Sequence, residues 1–192
     1  MIRLVACEVF KPALDYLGLQ KKYPWIHITF LPSGLHINPN ELKQRLSTTI
    51  QPFKQQTSRI ICCYGNCFGG MDDFCALHGL RRTPGDHCYE ILLGPGRFKK
   101  IIEKTMGTYF VEQDLVRHFK EYCIDPLELY DEDMRHMCFA HYKKLLYLRQ
   151  PADGDLVPEV KKIAAFLELD LDIKDADYSY LEKKLIEFVD DE

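Results

Sequence analysis

Residues 58–70 read SRIICCYGNCFGG, an apolar run of strand length that breaks into a glycine-rich turn. The run predicts a strand over residues 58–64, ended by Gly65. Working back from it, residues 26–31 (IHITFL) and 2–9 (IRLVACEV) have the same character. Between these strands lie two helical stretches. One is ALDYLGLQKK, after the stop at Lys11-Pro12. The other opens with Asn38 as N-cap and Pro39 at the first helical position, and carries Leu42, Leu46 and Ile50 on one face. Strand, helix, strand, helix, strand is the pattern of a parallel sheet with helical crossovers.

Working forward, the glycine turn leads to a helix over about Met71–His78 and a short strand at residues 80–83. Asp86 stands as a cap for a helix over His87–Leu93, and Pro95 opens another, reaching about Lys104. Later strands are expected at 108–111, 145–149 and 169–173, and helices at 112–122, 132–144, 157–168 and 178–188. The expectation is a three-layer, Rossmann-like α/β fold with one mainly parallel sheet and a helix-rich C-terminal half. No repeat or linker interrupts the chain, so residues 1–192 read as a single domain.

Composition excludes several classes. The 46% hydrophobic content is enough for a core. A net charge of −4, with only short basic pairs such as Arg81-Arg82, disfavours a nucleic-acid partner and makes these pairs solvated faces. The first residues, MIRLVACEVF, are too short an apolar run for a signal core. No stretch reaches the roughly 18 apolar residues of a membrane span. The expected location is the cytoplasm, with no membrane partner. Eight cysteines in a reducing compartment then argue for metal or core roles rather than disulfides.

A parallel sheet gathers ligand and catalytic residues at the C-terminal ends of its strands. Cys7 lies near the end of the first strand, His36 just past the second, Cys67 past the third, and His87-Cys88 past the fourth. Three sulfurs and one nitrogen suit zinc or an iron–sulfur cluster. Gly65, Asn66, Gly69 and Gly70 shape the loop around Cys67, and let backbone N–H groups approach a sulfur or a bound cofactor. No CxxC pair occurs, and the spacing of Cys63 and Cys67 fits no common metal signature. Cys62, Cys63, Cys75, Cys123 and Cys138 read as core residues. His136 and His141, five apart, do not share a helix face. Glu8 reads as a strand-end charge or a carboxylate supporting Cys7. The many aromatics of the second half, Tyr109 and Tyr142 among them, suit a core or a homo-oligomer interface.

At these residues the chain resembles the domain-of-unknown-function 1638 family of anaerobic bacteria and methanogenic archaea. The resemblance rests on Ala6-Cys7-Glu8, Leu31-Pro32-Ser33-Gly34-Leu35-His36 with Pro39, and Tyr64-Gly65-Asn66-Cys67-Phe68-Gly69. It continues through Asp86-His87-Cys88, Leu92-Leu93-Gly94 and Gly107-Thr108-Tyr109-Phe110. Phe68 stands where the family has glycine, and His87 separates Asp86 from Cys88. Either Asp86 or His87 then takes the polar role beside Cys88. Family genes often neighbour corrinoid-dependent methyltransferase systems. The resemblance therefore implies one-carbon metabolism, with a corrinoid cofactor or a corrinoid or methyltransferase-type protein as partner.

Three functions follow as expectations. The first is a metal- or iron–sulfur-binding accessory protein that uses Cys7, Cys67, Cys88 and His36. The second is an enzyme, either with a thiolate-bound metal that activates a thiol for methyl transfer or with Cys67 as nucleophile. The third is a small-molecule or nucleotide site at the glycine loop, although that loop lacks the Lys-Ser/Thr of a P-loop.

Overall fold

In the computed structural model, which describes residues 1–55 and 59–190, the chain is α/β and all of its described strand pairs are parallel. It divides into two compact units. Met1–Pro95 with Tyr178–Glu192 make the first, and Gly96–Asp177 the second.

The first unit runs β1 (Ile2–Cys7), α1 (Lys11–Leu17), α2 (Leu19–Lys22), β2 (Ile26–Leu31), α3 (Pro39–Ile50), β3 (Arg59–Cys63), α4 (Met71–His78), β4 (Leu80–Arg82) and α5 (Cys88–Leu93). Its sheet has the order β2-β1-β3-β4. Leu4, Val5 and Ala6 of β1 are all buried, as expected of a central parallel strand covered on both faces. The Asn38 carboxamide accepts the Glu41 N–H at 3.3 Å, so the expected cap is in place. Leu42, Leu46 and Ile50 form the buried stripe of α3. Ser58, the first residue of the expected third strand, lies outside the described residues. His87, not Asp86, occupies the N-cap of α5, and its side chain makes no capping hydrogen bond to the described residues.

The second unit contains α6 (Pro95–Lys104, whose Pro95 closes the first unit), β5 (Thr108–Val111), α7 (Gln113–Arg117), a π turn at Lys120–Ile124, α8 (Glu132–Phe139), β6 (Lys144–Arg149), α9 (Val157–Leu167) and β7 (Asp170–Asp175). Its strands form a separate three-stranded sheet, β5-β6-β7. The expected single sheet is therefore two. The last three strands find partners in one another, with β6 paired to β7 over six residues. Strand periodicity says that a segment pairs but does not say with which edge. The chain then returns to the first unit as α10 (Ser179–Asp190). Leu181 and Leu185 bury the inner face of α10, and Lys22 meets Glu182 at 2.8 Å. Arg59 donates to the carbonyls of Phe188 and Val189.

Glu112 follows β5 and caps α7, accepting the N–H groups of Asp114 at 2.7 Å and Leu115 at 2.9 Å. It is only 3% exposed. Burial pushes its carboxyl up to about 7, against the pull of those two N–H donors. The fold therefore holds this proton more tightly than the unfolded chain does. The resulting stabilisation is full below about pH 4.5 and is lost as pH rises to about 7. Across that window Glu112 should remove about 3 kcal/mol of stability. Urea unfolding of Glu112→Gln between pH 5 and 8 should give a flatter profile than the unsubstituted chain. Parallel profiles would refute this assignment.

Candidate functional site

The first sheet brings the C-terminal ends of β1, β2, β3 and β4 to one edge, as four parallel neighbours must. Cys7 is the last residue of β1, in register with Leu31, while its neighbour Ala6 pairs with Cys63 at the end of β3. Tyr64 follows Cys63 directly and is 1% exposed, yet its hydroxyl has no hydrogen-bond partner among the described residues. Burial suppresses ionisation of that phenol, and the charges of Cys7, Cys62, Cys67 and Cys63 suppress it further. A buried hydroxyl thus feels cysteines from two adjacent strands and the following loop.

Cys67 is half-buried in that loop. Burial pushes its thiol up, offset in part by the Arg82 charge and by the Gly65 N–H donated to its sulfur. The N–H directed at sulfur, expected from the glycines, is therefore present at Gly65. Burial also pushes up Cys63, which meets Thr83 on the site side.

Cys88, half-buried, opens α5. Its segment is joined to the Cys67 loop by one short bond, with the Asn66 N–H donating to the Asp86 carbonyl at 2.7 Å. Gly65 is pressed into the same seam, where a β-carbon would lie 2.7 Å from that carbonyl oxygen and 3.1 Å from the His87 Cα. Asp86 thus contributes its backbone, and its own N–H donates to Glu90 at 2.8 Å.

Arg82 ties these parts together. Its guanidinium donates to Asp72 at 2.7 Å and to the carbonyls of Tyr64 (3.1 Å), Thr83 (3.3 Å) and Gly85 (2.7 Å). Its side chain is 10% exposed, which corrects the reading of Arg81-Arg82 as a solvated pair. Tyr64 and Arg82 escaped the sequence reading. Tyr64 follows a strand end, which was the available signal, but nothing local distinguishes a buried arginine from a solvated one.

His36 lies exposed on a 3₁₀ turn at Ser33–Ile37, and its Nδ1–H donates to the Ser33 carbonyl at 2.6 Å. In a neutral ring that bond leaves Nε2 with the lone pair, the arrangement common in ligating histidines. Gly69 and Gly70 do not join Gly65 and Asn66. They line an open groove of about 630 Å³ between α3 and α4, with Lys43, Ser47 and His78. None of the eight cysteines is in a disulfide. Cys62, Cys63, Cys75 and Cys123 are buried, as expected of core residues, but Cys62 and Cys75 also hydrogen-bond to one another.

The donor chemistry at this edge suits a soft metal. The four expected ligands do not, however, stand as a closed set. Among the described residues no group of three or more His, Cys, Asp or Glu side chains is gathered to hold a metal ion. Nor is any helix among them long and apolar enough to cross a membrane.

No curated protein and no solved structure matches the chain. A family model described as "Protein of unknown function (DUF1638)" matches residues 30–185, well over half of the sequence and most of the elements just described. The chain therefore belongs to the DUF1638 family.

Proposed function

We propose that this protein binds a soft metal centre, zinc or an iron–sulfur cluster, at the C-terminal edge of its four-stranded sheet. Cys7, Cys67 and Cys88 supply thiolates and His36 a nitrogen, with the Cys88 segment and the His36 turn closing as the centre binds. The observation that carries this reading is the buried Tyr64 hydroxyl, without a partner among the described residues and under the electrostatic influence of Cys7, Cys62, Cys67 and Cys63. A buried hydroxyl without an acceptor costs about 1–3 kcal/mol, and a bound thiolate or sulfide would supply the acceptor. Burial keeps the Cys67 thiol protonated, so a cation is what would turn it into a ligand, releasing a proton. The same burial weakens the reading of Cys67 as a metal-free nucleophile. We further propose that such a centre serves anaerobic one-carbon or corrinoid metabolism, with a corrinoid or methyltransferase-type protein as its partner in the cytoplasm.

Metal analysis and a visible spectrum of anaerobically purified protein test this. Stoichiometric colourless zinc, or iron with a broad visible band, is expected. Cys67→Ala should lose the metal while Cys138→Ala retains it. Protein free of both zinc and iron would refute the reading.

The groove beside Gly69 and Gly70 favours a second reading, a small-molecule site next to Lys43. Thermal-shift titration with nucleotides tests it, and no shift at millimolar ligand would exclude nucleotides.

A further inference from the structure

We propose that Cys62 and Cys75 form a redox-active dithiol, which a hydroperoxide converts to an intramolecular disulfide between β3 and α4. The pair does not overlap the proposed metal ligands. Cys62 lies on β3, one residue before the strand's end, and Cys75 lies in the second turn of α4, which follows β3. The helix packs back so that the two thiols hydrogen-bond to one another. Alternation along β3 sends the neighbouring Cys63 elsewhere, to Thr83 and towards Cys7.

The pair is chemically asymmetric. The Cys62 S–H donates to Cys75, which lowers the Cys75 thiol below its ordinary value, and the Arg82 guanidinium lowers it further. Burial and the Asp72 charge oppose this. Cys62 is held well above its ordinary value, chiefly as donor in this bond and also by burial. Cys75 is therefore the more readily ionised of the two and Cys62 the one that holds its proton, the division a dithiol needs to be oxidised in two steps.

Cys75 is only 3% exposed, so the oxidant proposed is a small hydroperoxide and not a bulky disulfide. The Cys75 thiolate attacks the near oxygen of the hydroperoxide, and the O–O bond breaks. Cys75 becomes a sulfenic acid, and the departing alkoxide or hydroxide takes a proton from water. The Cys62 sulfur then attacks the Cys75 sulfur. The S–S bond forms, the S–O bond breaks, and hydroxide leaves with the Cys62 proton as water. Two thiols have lost two electrons to one hydroperoxide. Bonding distance is shorter than hydrogen-bond distance, so strand and helix must close slightly. Gly69 and Gly70 lie at the start of α4, and Gly69 has open space around it to allow this. The loop so closed contains Cys67.

Reduced whole chain is treated with equimolar hydrogen peroxide under anaerobic conditions, then quenched in denaturant with N-ethylmaleimide. Chymotrypsin, which can cut after Tyr64, Phe68 and Phe74, separates Cys62, Cys67 and Cys75 where trypsin would leave them in one peptide. The major cross-linked species should join the Cys62 and Cys75 peptides and should disappear on reduction with dithiothreitol. Cys63→Ala should keep the cross-link and Cys62→Ala should abolish it. If a variant fails to fold, mapping of the unsubstituted chain still decides. Maleimide-labelled Cys75 after oxidation, Cys75 trapped as sulfinic acid, or a dominant Cys7–Cys63 bridge would each overturn the proposal.

Discussion

Gly65→Ala should destabilise the first unit by about 3 kcal/mol and deprive the proposed centre of its metal. The added methyl would lie 2.7 Å from the Asp86 carbonyl oxygen and 3.1 Å from the His87 Cα. Both are backbone atoms, so no side chain can swing aside. The two loops must part, which costs about 1–3 kcal/mol of overpacking. Parting also breaks the Asn66–Asp86 bond, worth about 1 kcal/mol. Cys67 and Cys88 hang from these two loops, so the distance between the two proposed ligands grows. Gly69→Ala is the control, since a methyl there meets nothing within 4 Å. Urea unfolding and metal content should separate the two variants. Equal stability would show that the seam at Gly65 is not under pressure.

Arg82→Met should cost about 3–5 kcal/mol and slow peroxide oxidation of Cys75. The ion pair with Asp72 is the smaller part of this. The Asp72 side chain is 74% exposed, and such pairs contribute roughly 0–1 kcal/mol. The larger part is the three carbonyl bonds, to Tyr64, Thr83 and Gly85, made by a charged donor that is almost buried. Bonds to charged groups contribute about 1.5–3 kcal/mol each when lost, though not additively. Arg82→Lys should recover little, because one ammonium cannot hold Asp72 and the three carbonyls that the guanidinium serves from two separate nitrogens. Removing the guanidinium also removes one of the influences that lower the Cys75 thiol. Chemical denaturation and the rate of sulfenic acid formation check the two effects. A variant within 1 kcal/mol of the unsubstituted chain would show that Arg82 is not the hub it appears by geometry.

Much of this fold was legible because its punctuation is strong. Asn38-Pro39 marks the start of α3, Pro95 the start of α6, and the strand at Ile26–Leu31 lies where its apolar run does. These are local signals, set by fixed φ angles, caps and alternation. The division into two sheets was not legible, because pairing between distant strands leaves no local trace. The edge bearing Cys7, Cys67 and Cys88 followed from topology alone and is where the parallel order places it. Their mutual placement was not legible. It depends on the Gly65–Asp86 seam and the burial of Arg82, both products of tertiary packing. Cys62 and Cys75 were rightly read as core, but their contact arises from the packing of α4 back against the sheet, which periodicity does not specify.

The return of the chain through α10 bears on the order in which the molecule can be made. The first unit is not finished until α10 is synthesised, because Leu181, Leu185 and the carbonyls that hold Arg59 all belong to that helix. Between Pro95 and Tyr178 the ribosome must deliver the whole of Gly96–Asp177. At about 5–20 residues per second that is a wait of roughly 4–16 s. For that interval the second unit can already close on its own contiguous sequence, while the cysteine-bearing sheet waits with one flank open.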